Sequence, residues 1–128
     1  MRLRLLLAVV ATLALAQVAQ AASSAEAAGG SAAVKRGLYD CYSFSLSLGI
    51  TTYQGSVVLK AGGRYSHAAG RDGRKLINPR NGRYGQAGKR INFKSGPLSD
   101  LYGIEKAATK FDVWAKGEQV KSWTCYAK

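Results

Sequence analysis

From Tyr39 onward, apolar and polar residues alternate in short runs, the period of two that a half-buried strand requires. In "YSFSLSLGI", Tyr42, Phe44, Leu46, Leu48 and Ile50 share one face, and Ser43, Ser45 and Ser47 the other. "YQGSVVLK" groups Tyr53, Gly55, Val57 and Leu59, "RINFK" groups Ile91 and Phe93, and "KFDVWAK" groups Phe111, Val113 and Ala115. "VKSWTCY" sets Trp123 and Cys125 opposite Val120, Ser122 and Thr124. Turn residues punctuate these runs at Gly62-Gly63, Asp72-Gly73, Asn81-Gly82, Ala87-Gly88, Ser95-Gly96-Pro97 and Lys116-Gly117. No window carries a helical stripe. Only Lys106 to Lys110 has helix-forming residues, and it is expected to make one turn at most. The pattern predicts an all-β antiparallel meander of about eight strands.

A short echo supports the meander. "GGRY" (Gly62 to Tyr65) recurs as "NGRY" (Asn81 to Tyr84), each a turn leading into a strand. Within each strand the Arg should point one way and the Tyr the other.

The N-terminus changes the picture. Arg2 and Arg4, the apolar run Leu5 to Leu15, and Ala19-Gln20-Ala21 form the three parts of a secretory signal peptide over residues 1–21. The run is too short to span a bilayer, and no Cys follows the cleavage pattern to carry a lipid. Apart from Glu26 and Val34, residues 22–34 are Ala, Ser and Gly, the composition of a flexible leader. Residues 35–128 are then a single small domain, exported to the periplasm or beyond the cell.

Two cysteines, Cys41 and Cys125, lie at the ends of that domain. Export favours a disulfide between them. Such a bridge places the first strand beside the last and closes the meander into a barrel without exposed edges. A sandwich with those strands facing also fits, and the barrel is preferred.

A Gly-led first strand, Gly37-Leu38-Tyr39, followed by short hairpins and a returning last strand resembles the layout of the lipocalin and avidin group of barrels. The set Tyr39-x-Cys41-Tyr42, Gly62-Gly63-x-Tyr65, Gly82-x-Tyr84, Ile91-x-Phe93-x-Ser95-Gly96-Pro97-Leu98 and Trp123-x-Cys125 also resembles a group of uncharacterised small exported bacterial proteins. That second resemblance covers nearly the whole domain and implies no functional residue.

Charge supplies the candidate chemistry. The chain holds 19 Lys and Arg against 7 Asp and Glu. Ten of those basic residues lie between Lys60 and Lys94, where Asp72 is the one acid. Arg64, Arg71, Arg74, Lys75, Arg80, Arg83, Lys89 and Arg90 are the candidate anion-binding set, expected on adjacent hairpins along one side of the barrel. Tyr65 and Tyr84, interleaved with Arg64 and Arg83, are candidate stacking partners, although buried packing is the more frequent use of strand tyrosines. The plain alternative is a basic surface that only confers solubility.

No catalytic residue stands out. The acids Glu26, Asp40, Asp72, Asp100, Glu105, Asp112 and Glu118 show no informative spacing, and His67 with Glu105 or Asp112 is the one conceivable acid–base pair. A single histidine leaves no metal set, and no cofactor is implied. Tyr42, Phe44, Val57, Leu59, Ile91, Phe93, Phe111 and Val113 have the bulk to fill the barrel interior. The sequence therefore points to a non-enzymatic binding module for an anionic polymer, lipid head group or envelope surface, with nucleic acid disfavoured by export. The alternatives are lipocalin-like carriage of a small ligand, and inhibition or adhesion through a loop at Ile77 to Gly82.

Overall fold

A computed structural model describes residues 33–128; the expected signal peptide and nearly all of the leader lie outside them. Ten strands follow in order: β1 (Gly37–Ser45), β2 (Ile50–Lys60), β3 (Arg64–Ala68), β4 (Arg71–Asp72), β5 (Lys75–Leu76), β6 (Arg80–Ala87), β7 (Arg90–Phe93), β8 (Leu101–Ala107), β9 (Lys110–Ala115) and β10 (Lys121–Ala127). Eight close an antiparallel barrel in the order β1-β10-β9-β8-β7-β6-β3-β2, and β4-β5 form a separate hairpin between β3 and β6. The seam is closed by the Cys41–Cys125 disulfide, which joins residues directly opposed in the β1–β10 register.

The inward positions carry the core: Tyr39, Cys41, Val57, Leu59, Tyr65, Ile91, Phe93, Phe111, Val113 and Cys125. Two expected interior residues do not belong to it. Tyr42 is half-buried and Phe44 is exposed, because alternation from Tyr39 and Cys41 turns the even positions outward. A register shift between Cys41 and Tyr42 marks where β1 and β2 leave the barrel wall. The segment Lys106 to Lys110 makes no helical turn. It holds the β8–β9 hairpin, whose ladder pairs Ala107 with Lys110 and overrides local helix preference.

The tyrosines of the echo point inward and its arginines outward, as strand alternation requires. Tyr65 is fully buried, its hydroxyl donating to the Ser95 carbonyl (2.8 Å) and accepting from the Leu98 amide (2.9 Å). Gly82 stands opposite Tyr65 because nothing larger fits: a Cβ there would lie 2.2 Å from the Ser95 carbonyl oxygen and 2.6 Å from the Tyr65 ring.

One end of the barrel is stoppered. Val34 is buried, and its amide donates to Gln86 Oε1 (3.0 Å), so the packed domain begins inside the expected leader. Gln86 Nε2 donates in turn to Glu105 Oε1 (3.0 Å). The Tyr39 hydroxyl donates to the Lys35 carbonyl (2.5 Å), and burial pushes its pKa up to about 12.

Candidate binding site at the barrel mouth

The eight basic candidates do not converge. Arg64 and Arg83 are direct cross-strand partners on the outer wall. Lys60 stands opposite Arg64, and the Lys94 amide bonds to the Arg83 carbonyl (2.8 Å). Lys60, Arg64, Arg83 and Lys94 thus form one transverse row over β2, β3, β6 and the end of β7, with no carboxylate paired to any of them among the described residues. The remaining candidates go elsewhere. Arg74 is exposed with Nη2 reaching the Lys128 carbonyl (3.5 Å), and Lys75 is exposed on β5. Lys89 sits in the β6–β7 turn, while Arg90 lies over the Tyr102 ring (4.0 Å to the centroid) and donates to Asn92 Oδ1 (2.8 Å).

Arg71 is not available to an anionic partner. The β4–β5 hairpin folds back over the outer wall, where Arg71 Nε donates to Asp40 Oδ1 (2.8 Å) and Nη2 to Oδ2 (2.7 Å). Asp40 is buried, and the Arg71 hydrogen bonds hold its carboxyl below the ordinary carboxylate range. Ser56 adds a bond to Oδ1, and Tyr53 caps Ser56.

Arg80, exposed at the start of β6, is the one candidate of the eight that lines an open cleft. It pairs with His67 across β3 and β6 and reaches the end of the barrel opposite the Val34 stopper. A cavity of about 710 Å³ opens there. Its wall includes Trp123 and His67, stacked with ring centroids 5.9 Å apart and planes 13° from parallel. Ile77, Leu98 and Leu101 add apolar surface, and Asp100 is the one acid of the lining. Burial lowers the His67 pKa, and Arg80 adds to the effect, so His67 is neutral at pH 7. Its Nε2 is buried without a hydrogen-bond partner among the described residues. The cation at the mouth is therefore Arg80, with a neutral aromatic stack beside it.

Several sequence expectations change here. Tyr65 is spent on the core, and Tyr84 is half-buried with its hydroxyl donating to the Lys60 carbonyl (3.4 Å), so neither offers a stacking face beside an arginine. His67 forms no pair with Glu105, which bonds Gln86, or with Asp112, which accepts from Thr124 (3.0 Å). The Ile77 to Gly82 segment is half strand: Arg80, Asn81 and Gly82 belong to β6, and Ile77 and Asn78 line the mouth. Trp123 was missed, although its spacing to Cys125 places it on the inward face.

Among the described residues no cluster of three or more His, Cys, Asp or Glu is arranged to hold a metal ion, and no helix is long and apolar enough to cross a membrane. No family model, curated protein or solved structure matches the chain.

Proposed function

We propose that this protein is an exported binding protein, not an enzyme, that takes a small anionic ligand with an aromatic or apolar body into the barrel mouth. The observation that carries the reading is Arg80 set beside the Trp123–His67 stack in a cavity of about 710 Å³. Cavities of this size and lining suit one compact ligand. The guanidinium fork grips a carboxylate or sulfonate bidentately while the stack takes the ligand's flat face.

Naphthoate is a suitable probe, with naphthylmethanol as its neutral counterpart. Arg80→Gln is expected to weaken naphthoate binding on the order of tenfold in titration calorimetry and to leave naphthylmethanol unchanged. Equal losses for both probes, or none, would sink the assignment. As pH falls through the lowered His67 value, a second positive charge develops at the site. Naphthoate should then bind more tightly, and His67→Gln should remove that gain.

The outer row favours a second reading, attachment to a polyanion. Four unpaired basic side chains on one face match a run of sulfates or phosphates better than a single ligand. Arg64→Ser/Arg83→Ser should then elute from immobilised heparin at clearly lower salt than the parent, with a smaller change on a simple sulfonate exchanger. Equal changes on both columns would reduce the row to bulk charge.

A further inference from the structure

The β1–β2 pair continues beyond the barrel. β10 pairs with β1 only as far as Tyr42↔Thr124, and β3 pairs with β2 only as far as Ser56↔Ala68. β1 and β2 nevertheless stay paired out to Ser45↔Ile50. Residues 43–53 are therefore a free two-stranded ribbon, turned at residues 46–49. An isolated ribbon of this kind gains little stability from itself. It also lacks the charges that normally keep such an edge in water, since no Asp, Glu, Lys, Arg or His occurs between Asp40 and Lys60.

Its side chains are apolar where they meet solvent. Phe44 is 61% exposed, Leu46 89%, Leu48 71% and Ile50 50%, and Val120 in the neighbouring β9–β10 loop is 73% exposed. These residues form a projecting apolar tip, the feature that marks an interaction surface. Beneath it lies a tyrosine cluster: the Tyr42 ring is 5.7 Å from Tyr53 and 6.3 Å from Tyr126. A groove of about 600 Å³ separates the ribbon from β10 and includes Phe44, Leu46, Val120 and Trp123. Basic residues follow below. Lys121 borders the groove, 3.6 Å from Asp112 Oδ1 but half exposed. The Arg71 hairpin is tied to the cluster through Asp40, Ser56 and Tyr53, but its turn runs to the other end of the barrel, where Arg74 reaches Lys128 beside Leu38. Glu118 is the one acid of the β9–β10 loop, between Lys116 and Lys121.

We propose that this end of the barrel docks on an anionic lipid bilayer, the tip of the β1–β2 ribbon entering the interface. The sequence of layers is the argument. Aliphatic and phenyl groups reach furthest, tyrosines sit where head groups begin, and Lys116 and Lys121, flanking the β9–β10 loop at the same end, meet the anionic surface. Charge selects the bilayer over a second copy of the chain. Two copies, each with a formal net charge of +10 once residues 1–21 are removed, repel one another, whereas anionic head groups attract each of them. The mouth cavity opens at the same end, because the β3–β4, β7–β8 and β9–β10 connections all lie where the β1–β2 ribbon turns. The docking proposal rests on the ribbon alone and stands whether or not the mouth takes a ligand.

The test is cosedimentation with vesicles of mixed phosphatidylglycerol and phosphatidylcholine, beside vesicles of phosphatidylcholine alone. Parent and variants are recovered after export, so that all share the same processed N-terminus. The parent is expected to sediment with the mixed vesicles, far less with the neutral ones, and less as salt rises. Leu46→Ser/Leu48→Ser should lower partition on the order of tenfold, with Phe44→Ser following in the same direction. Both keep the melting temperature and the naphthoate titration of the parent, because none of the three side chains packs in the core or the mouth. Unchanged partition in these variants overturns the proposal, as does equal binding to neutral and mixed vesicles. A parent dimer in analytical ultracentrifugation that Leu46→Ser/Leu48→Ser disperses also overturns it, since a second copy would then cover the tip.

Discussion

Replacing both bridge residues, Cys41→Ala/Cys125→Ala, is expected to lower the stability of the domain by about 4–5 kcal/mol and its melting temperature on the order of 20 °C. The size follows from where the bridge lies. Cys41 and Cys125 are 84 residues apart in sequence, so the disulfide removes nearly the whole domain's worth of loop freedom from the unfolded chain. The β1–β10 seam it closes has the most non-local pairing in the barrel, running only from Tyr39↔Ala127 to Tyr42↔Thr124. Alanine is the informative replacement, because both sulfurs are fully buried and serine would add an unpaired hydroxyl to the loss. An open seam also exposes two strand edges, so the variant should aggregate on heating where the parent refolds. Thermal melts of parent, reduced parent and variant measure the effect. A free-thiol signal in the native parent equal to that of the reduced protein would show that no bridge forms, and matching melts would show that it does not hold the seam.

The barrel was legible because two independent signals agree. Alternation places Val57, Leu59, Ile91, Phe93, Phe111 and Val113 on inward faces, and the terminal cysteines require the ends of the meander to meet. Applied strictly, the same frame also excludes Phe44 from the core, since a residue three positions after an inward Cys41 points outward. The apolar tip was therefore visible as a contradiction between two patterns, one locally alternating and one fixed by the bridge. The site was less legible. Arg71, Arg80 and Arg83 are close in sequence, yet one folds back on Asp40, one lines the mouth and one stands on the outer wall. Alternation separates Arg80 from Arg83, because an odd number of steps along a strand reverses the face. Nothing local announces the landing of the β4–β5 hairpin on Asp40, a contact spanning 31 residues. A run of positive charge thus describes the chain without describing a surface.

That hairpin contact leads to the second large expectation. Arg71→Ala should lower the melting temperature at neutral pH on the order of 10 °C, because it strands the Asp40 carboxylate in the barrel wall. In the parent, hydrogen bonding from Arg71 lowers the Asp40 pKa below its unfolded value. The pair's stabilisation is therefore fully present above the ordinary carboxylate range and is lost as pH falls through the lowered value. Without Arg71, burial dominates and raises the Asp40 pKa, leaving Ser56 and the more distant Lys128 amine (3.9 Å) as weaker support. The deficit of the variant should thus be largest at neutral pH and shrink on acidification, as Asp40 takes up a proton and the stranded charge disappears. Asp40→Asn/Arg71→Ala should be more stable than Arg71→Ala alone, since the double change removes the charge as well as its partner. A deficit that does not change with pH would assign the loss to hairpin packing. It would leave the Asp40 carboxylate without a role in holding β4–β5 against the wall.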